Sequence, residues 1–187
     1  MSTVYTVNGK VLKNAANDKW LIKKVDPYNP LGLPPNTVRV RTSDGYAPEK
    51  EPWTSYETAT IVSGTTDVYD VYKSGQSFMY FLSGSTNVVE VLGANTTDIT
   101  NMNFMFAECT SLTNIPLFDT SKVTTMNNMF LNCTNVQSGA LALYQQASTQ
   151  TNPPSDHYNT FSNCGSNTVT GAAELAQIPS SWGGTGT

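Results

Sequence analysis

The sequence predicts an α+β chain: a short solenoid with one strand and one short helix per coil, preceded by a small antiparallel β-sheet and an N-terminal β-hairpin. Three observations carry this expectation. The chain overlays itself when residues near 100 are shifted by 24 positions. Residues 37–73 alternate apolar and polar side chains in short runs bounded by turn residues. Near the N-terminus, Asn8-Gly9 separates Val4–Val7 from Lys10–Leu12, and Asn-Gly supplies the two positive-φ residues of a type I′ hairpin turn.

The repeat is the most informative element. Thr100, Met102, Asn103, Met105, Phe106, Cys109 and Thr110 match Thr124, Met126, Asn127, Met129, Phe130, Cys133 and Thr134. Met102, Met105, Phe106 and Cys109 stand at i, i+3, i+4 and i+7, as do Met126, Met129, Phe130 and Cys133, so each set is expected on one face of a short helix. Leu112, Ile115 and Leu117 then read as the strand of the next coil. A period of about 20–29 residues with strand-like and helix-like halves is the pattern of a leucine-rich-repeat solenoid. One such coil cannot bury its own face, whereas stacked coils build a continuous core.

The cysteines fall at equivalent places, in Phe106-x-x-Cys109, Phe130-x-x-Cys133 and Phe161-x-x-Cys164. They read as small buried apolar residues. The alternative is a disulfide between adjacent coils, which requires Cα atoms within about 7 Å. The expected repeat core is therefore Met102, Met105, Phe106, Cys109, Met126, Met129, Phe130, Cys133, Phe161 and Cys164.

Five modules are expected: a hairpin anchor over 1–24, a proline-rich linker over 25–36, an antiparallel β module over 37–75, the solenoid with its C-terminal cap over 76–182, and a flexible tail over 183–187. In the β module, Thr37–Thr42 should turn Val38 and Val40 inward and Arg39 and Arg41 to water. Trp53–Val62 and Asp67–Tyr72 read as further strands. Gly139–Ala147 and Gly171–Gln177 read as cap helices, the second stopped by Pro179. The anchor is too small to bury its own apolar face. Tyr5, Val7, Val11, Leu12, Trp20, Leu21 and Ile22 are its expected anchoring or oligomer contacts.

Composition narrows the function. Thr, Ser and Asn make up 61 of 187 residues, while only 13% are charged, so hydroxyls and amides rather than charges solvate the surface. Residues 1–24 carry +4, residues 25–73 carry −3 and residues 74–187 carry −5. An acidic body cannot wrap a phosphate backbone, so no nucleic-acid partner is expected. With no apolar run of about 18 residues, no membrane insertion is expected. The start, Met1–Tyr5, lacks a basic region ahead of an apolar run and does not read as a secretory signal. No catalytic, metal or cofactor-binding residues are assigned and no cofactor is expected. His157 is the sole histidine, and Glu57, Asp67 and Asp70 form no defined carboxylate pair in the sequence.

The run Thr100–Leu112, followed by Phe118-Asp119-Thr120-Ser121-Lys122-Val123-Thr124, resembles the BspA-like leucine-rich-repeat family, over about residues 77–136 well and 157–178 loosely. The resemblance implies a binding or adhesion protein without catalytic residues, of bacterial surfaces or gut phages. Tyr5–Lys13 with Trp20-Leu21 also resembles a short N-terminal module found ahead of varied bodies in gut-phage proteins. Together these imply a virion protein of head or tail, attached to a capsid or tail protein through residues 1–24. It would form a homo-oligomer, a trimer being favoured, and display its repeat toward a host surface protein or glycan. A bacterial cell-surface adhesin or interaction module of that family is the alternative. Tyr28, Tyr46, Trp53, Tyr56, Tyr69, Tyr72 and Tyr158 are the aromatic side chains expected to stack on a glycan where exposed.

Overall fold

The computed structural model describes residues 6–7, 10–11 and 26–187. Strand β1 (Thr6–Val7) pairs antiparallel with β2 (Lys10–Val11), on either side of Asn8-Gly9 in the sequence. Four longer strands form an antiparallel sheet: β3 (Thr37–Thr42), β4 (Thr58–Ile61), β5 (Val68–Tyr72) and β6 (Val88–Asn95), in the order β4–β5–β3–β6.

Period-2 alternation explains β3. Val38 and Val40 are fully buried, and Arg39 and Arg41 lie on the other face. There the arginines are paired across the sheet. Arg39, opposite Asp70, holds both carboxylate oxygens at 2.6 and 2.7 Å. Arg41 reaches Asp67 at 2.9 Å and Glu90 at 3.2 Å. These pairs are partly solvated and chiefly fix register.

The fourth strand, β6, comes from the segment that reads in sequence as the start of the repeat. Its far edge passes into that repeat: Thr113 N–H donates to Val89 O at 3.0 Å, and Gln137 N–H donates to Thr113 O at 2.8 Å. The proline-rich stretch is folded from residue 26 onward. It is a series of turns docked on β6, with the Asn29 side chain bonding both N and O of Leu33, and Asn95 donating to Leu33 O at 2.8 Å.

The expected solenoid with a strand and a short helix per coil is not what the chain forms. Among the described residues the regular elements are the β1–β2 pair, the four-stranded sheet, two α-helices and a 3-10 turn at Ser180–Trp182, and both α-helices lie after residue 139. Residues 102–109 and 126–133 are tight turns, and their parallel contacts with neighbouring segments are isolated bridges, Ser77 with Asn101, Asn101 with Thr125, and Thr125 with Asp156. The reason is in the backbone. Phe104, Glu108, Asn128 and Asn132 have φ of 55°, 63°, 56° and 59°, which no α-helix accommodates.

Each segment is instead two consecutive four-residue turns, and a first segment at residues 78–85 and a last at 157–164 fold the same way. Met105 N–H closes on Met102 O and Cys109 N–H on Phe106 O, at 3.2 and 3.1 Å. The first and last residues of each turn point to the core, so two turns in series bury i, i+3, i+4 and i+7. That is the same spacing a helix would produce. The backbone groups freed from helix bonding go sideways. Phe104 N–H donates to Asn127 O, Phe106 N–H to Met129 O and Glu108 N–H to Leu131 O, at 2.8–2.9 Å, and the next segment repeats this toward Tyr158, Thr160 and Ser162.

Helices α1 (Ala140–Thr149) and α2 (Val169–Leu175) close the C-terminal end. The Glu174 carboxylate of α2 accepts from Gly139 N–H and Leu141 N–H, at 3.3 and 3.1 Å, and so caps α1 in place of a side chain at its own N-terminus. The tail expected to be a flexible end is tied back, with Thr185 N–H on Leu175 O and Gly186 N–H on Ile178 O, both at 2.9 Å.

Candidate functional site

Stacking aligns the central residues of the turns into columns, most of them partly or fully exposed, with Ser83, Gly84 and Ala107 buried. One column of left-handed residues is Tyr80, Phe104, Asn128 and Asn159; another is Gly84, Glu108, Asn132 and Asn163. Asparagine and glycine adopt this conformation readily, whereas a bulky residue there costs about 1–2 kcal/mol. Asparagine side chains lace the columns together. Asn103 Oδ1 accepts from Asn127 N–H, and Asn127 Oδ1 from Tyr158 N–H, both at 2.7 Å. Asn132 donates to Glu108 Oε1 at 2.8 Å, and Asn163 donates to Asn132 Oδ1 at 2.9 Å.

At the first two segments this face becomes aromatic. The rings of Tyr80 and Phe104 stack at 4.8 Å with 17° between their planes. They wall an open groove of about 300 Å³, floored by Ser83 and Ala107, bounded by Trp53 and Leu131, with Glu108 at its lip. Trp53 is brought there because residues 54–56 lie against the first segment. Ser55 N–H donates to Tyr80 O at 2.9 Å, and the Thr54 hydroxyl to Ser83 O at 2.6 Å.

Of the aromatic residues singled out in sequence, Trp53 alone lines this groove. Tyr46, Tyr72 and Tyr158 are exposed, and none of them lines it. Tyr56 and Tyr69 are buried, their hydroxyls bound to Pro48 O and Gly45 O at 2.6 Å, and Tyr28 is half-buried. Tyr80, Phe104 and Glu108 were not recognisable as site residues. The available signal was a mismatch: they occupy positions that later segments fill with asparagine.

The ten repeat-core residues are all fully buried. Phe106, Phe130 and Phe161 stack in one column, with centroids 5.3 and 6.0 Å apart and planes within 6°, and Trp182 continues it at 6.5 Å. All three cysteines are free. Cys109 Sγ donates to Leu82 O at 3.1 Å and Cys133 Sγ to Phe106 O at 3.0 Å. Tyr5, Leu12, Trp20, Leu21 and Ile22 lie outside the described residues, as do the side chains of Val7 and Val11.

Burial pushes the Cys109 thiol up from 9.0 to about 12 and raises Cys133 and Cys164 as well. The native protein is therefore expected to resist alkylation at mildly alkaline pH, with all three thiols reacting once denaturant is added. Raised thiol values also set a pH dependence. Above pH 9 the unfolded chain ionises its thiols while the folded chain keeps its protons, so stability should fall progressively between pH 9 and about 12. Denaturant midpoints measured across that window check the sign.

The carboxylates of Asp70, Asp67 and Glu57 each have a partner: for Asp70, Arg39; for Asp67, Arg41; and for Glu57, Ser74, whose hydroxyl lies 2.5 Å away. His157 stacks on Trp182 at 4.1 Å, with Nδ1 3.0 Å from Pro154 O. Among the described residues, no three His, Cys, Asp or Glu side chains converge to hold a metal ion, and no helix is long and apolar enough to cross a membrane.

Segments that repeat in sequence, stack through their backbones and align their outward side chains define a tandem-repeat protein. The chain belongs to the family described as "Mycoplasma protein of unknown function, DUF285", whose model matches residues 65–168, more than half its length. DUF285 is a BspA-like surface repeat family, so the resemblance carried by Thr100–Thr124 holds at the level of the family. Neither the curated proteins nor the solved structures provide a match.

Proposed function

We propose that the chain is a non-enzymatic display protein that adheres to a host surface protein or glycan through the outward face of its stacked turns. The observation that carries this reading is the groove of Tyr80, Phe104 and Trp53 set among columns of asparagine. Buried apolar positions explain themselves by packing, whereas aromatic rings held outward in a costly conformation do not. Membership of a surface repeat family supports the same reading.

Residues 1–24 attach the chain to its carrier, and many copies on one carrier convert weak contacts into avidity. On the resemblance of Tyr5–Lys13 with Trp20-Leu21, the carrier is a phage virion, with the arm bound to a capsid or tail protein and the displayed unit a trimer. The second reading, a bacterial cell-surface adhesin, is favoured by the family match.

Beads coated with the full chain should adhere to host cells, and soluble chain should compete. Lack of adhesion across host cells, their surface proteins and a glycan panel would remove the adhesion reading. Mass spectrometry of purified particles against cell envelopes separates the two carriers, the virion reading requiring the chain in the particles.

A further inference from the structure

We propose that the groove walled by Tyr80 and Phe104 receives the side chain of a lysine or arginine on a partner protein, with the aliphatic stem against the rings and the cation beside Glu108. This rests on the adhesion reading above and names the chemistry of its partner.

The lining decides the chemistry. The backbone donors around the groove are already committed to the ladder: Leu82 N–H to Met105 O, Gly84 N–H to Ala107 O, Phe106 N–H to Met129 O and Glu108 N–H to Leu131 O, all at 2.8–2.9 Å. The Ser83 hydroxyl is turned to Ala107 O at 3.3 Å. Beyond these, the lining offers a sugar ring the Trp53 indole N–H and the Glu108 carboxylate, fewer partners than its hydroxyls, and the unmatched ones cost binding. A long aliphatic stem needs only the apolar floor and ring surfaces. Its terminal cation then needs a carboxylate and aromatic faces, and the groove offers both.

Glu108 is placed for that role. It is exposed, Asn132 holds its Oε1 at 2.8 Å, and its other oxygen has no hydrogen-bond partner among the described residues. Later segments carry Asn132 and Asn163 at the equivalent position, so the carboxylate coincides with the aromatic wall and is lost beyond it. The wider field agrees. Residues 26–187 carry a net charge of −8, which draws a basic segment toward the face.

The test uses the full chain and a Gly/Ser peptide carrying spaced lysines, followed through the aromatic NMR resonances of Trp53, Tyr80 and Phe104. These should move on titration with the lysine peptide and stay still with the same peptide fully acetylated. Glu108→Asn should weaken binding about tenfold, and Phe104→Asn should abolish the shifts. Both variants place the residue that the next segment already uses at that position, so their melting temperatures should not fall. Equal binding of the acetylated peptide, shifts with a neutral oligosaccharide and not with the lysine peptide, or no shifts with either would overturn the proposal. Cell adhesion that survives both substitutions would also overturn it while leaving the adhesion reading intact.

Discussion

Phe130→Ala is expected to lower the unfolding free energy by about 3–5 kcal/mol. The Phe130 ring is fully buried between Phe106 at 5.3 Å and Phe161 at 6.0 Å, with Phe118 at 6.3 Å. Removing it opens a cavity that its neighbours cannot fill. Phe106 and Phe130 are each pinned by a backbone bond to the following segment, Phe106 N–H to Met129 O at 2.9 Å and Phe130 N–H to Thr160 O at 2.8 Å. Collapse would have to break that ladder. Phe130→Leu should cost only about 1 kcal/mol, because Leu82 already fills the equivalent place in the first segment and is fully buried there. Denaturant midpoints at constant m-value measure both. A Phe130→Ala midpoint close to that of the parent would mean the ring column does not hold the segments together.

Gly139→Ala should be comparably damaging, by about 3–5 kcal/mol, for a different reason. Gly139 stands at the N-terminus of α1 with φ of 101°, and a Cβ there would lie 2.0 Å from Ile115 O and 2.8 Å from Ile115 C. Both atoms are backbone, and Ile115 N–H is itself bound to Ser138 O at 3.0 Å, so neither side can yield without losing the bridge between Asn114 and Ser138. Gly64→Ala is the control. Gly64 has φ of 82° with nothing within 4 Å of the added carbon, so only backbone strain of about 1 kcal/mol is expected. Thermal and denaturant unfolding of the two variants should separate them clearly. Equal effects would show that close packing against Ile115 is unimportant.

The difference between turn and helix explains how far the sequence could be read. Burial of Met102, Met105, Phe106 and Cys109 was legible from their spacing, since that spacing marks one inward face in either conformation. The conformation itself was not, because two four-residue turns in series have the same inward pattern as two turns of helix. A clue existed in Asn128, Asn132, Asn159 and Asn163, which sit four apart within their segments and favour the left-handed region. Phe104 and Glu108 mask that clue in the preceding segment.

The sheet divides in the same way. Strand β3 declared itself through strict alternation in Thr37–Thr42, one face buried and one solvated. Strand β6 did not, because Val88-Val89-Glu90-Val91-Leu92 lacks clean alternation and its pairing with β3 shifts register between Arg39 and Val40 and again between Arg41 and Thr42. For the groove, Trp53 was visible as an aromatic residue. Tyr80, Phe104 and Ala107 come together only because segments 24 residues apart stack. No local pattern encodes that neighbourhood.

Scalar couplings across hydrogen bonds, measured by NMR on isotope-labelled full-length chain, test the stacked-turn account most directly, because they pair each amide nitrogen with the carbonyl carbon that accepts from it. The account requires couplings from Phe104 N to Asn127 C′, Phe106 N to Met129 C′ and Phe130 N to Thr160 C′. Couplings from Phe106 N to Met102 C′ and from Phe130 N to Met126 C′ would instead show helical bonding within each segment and contradict it.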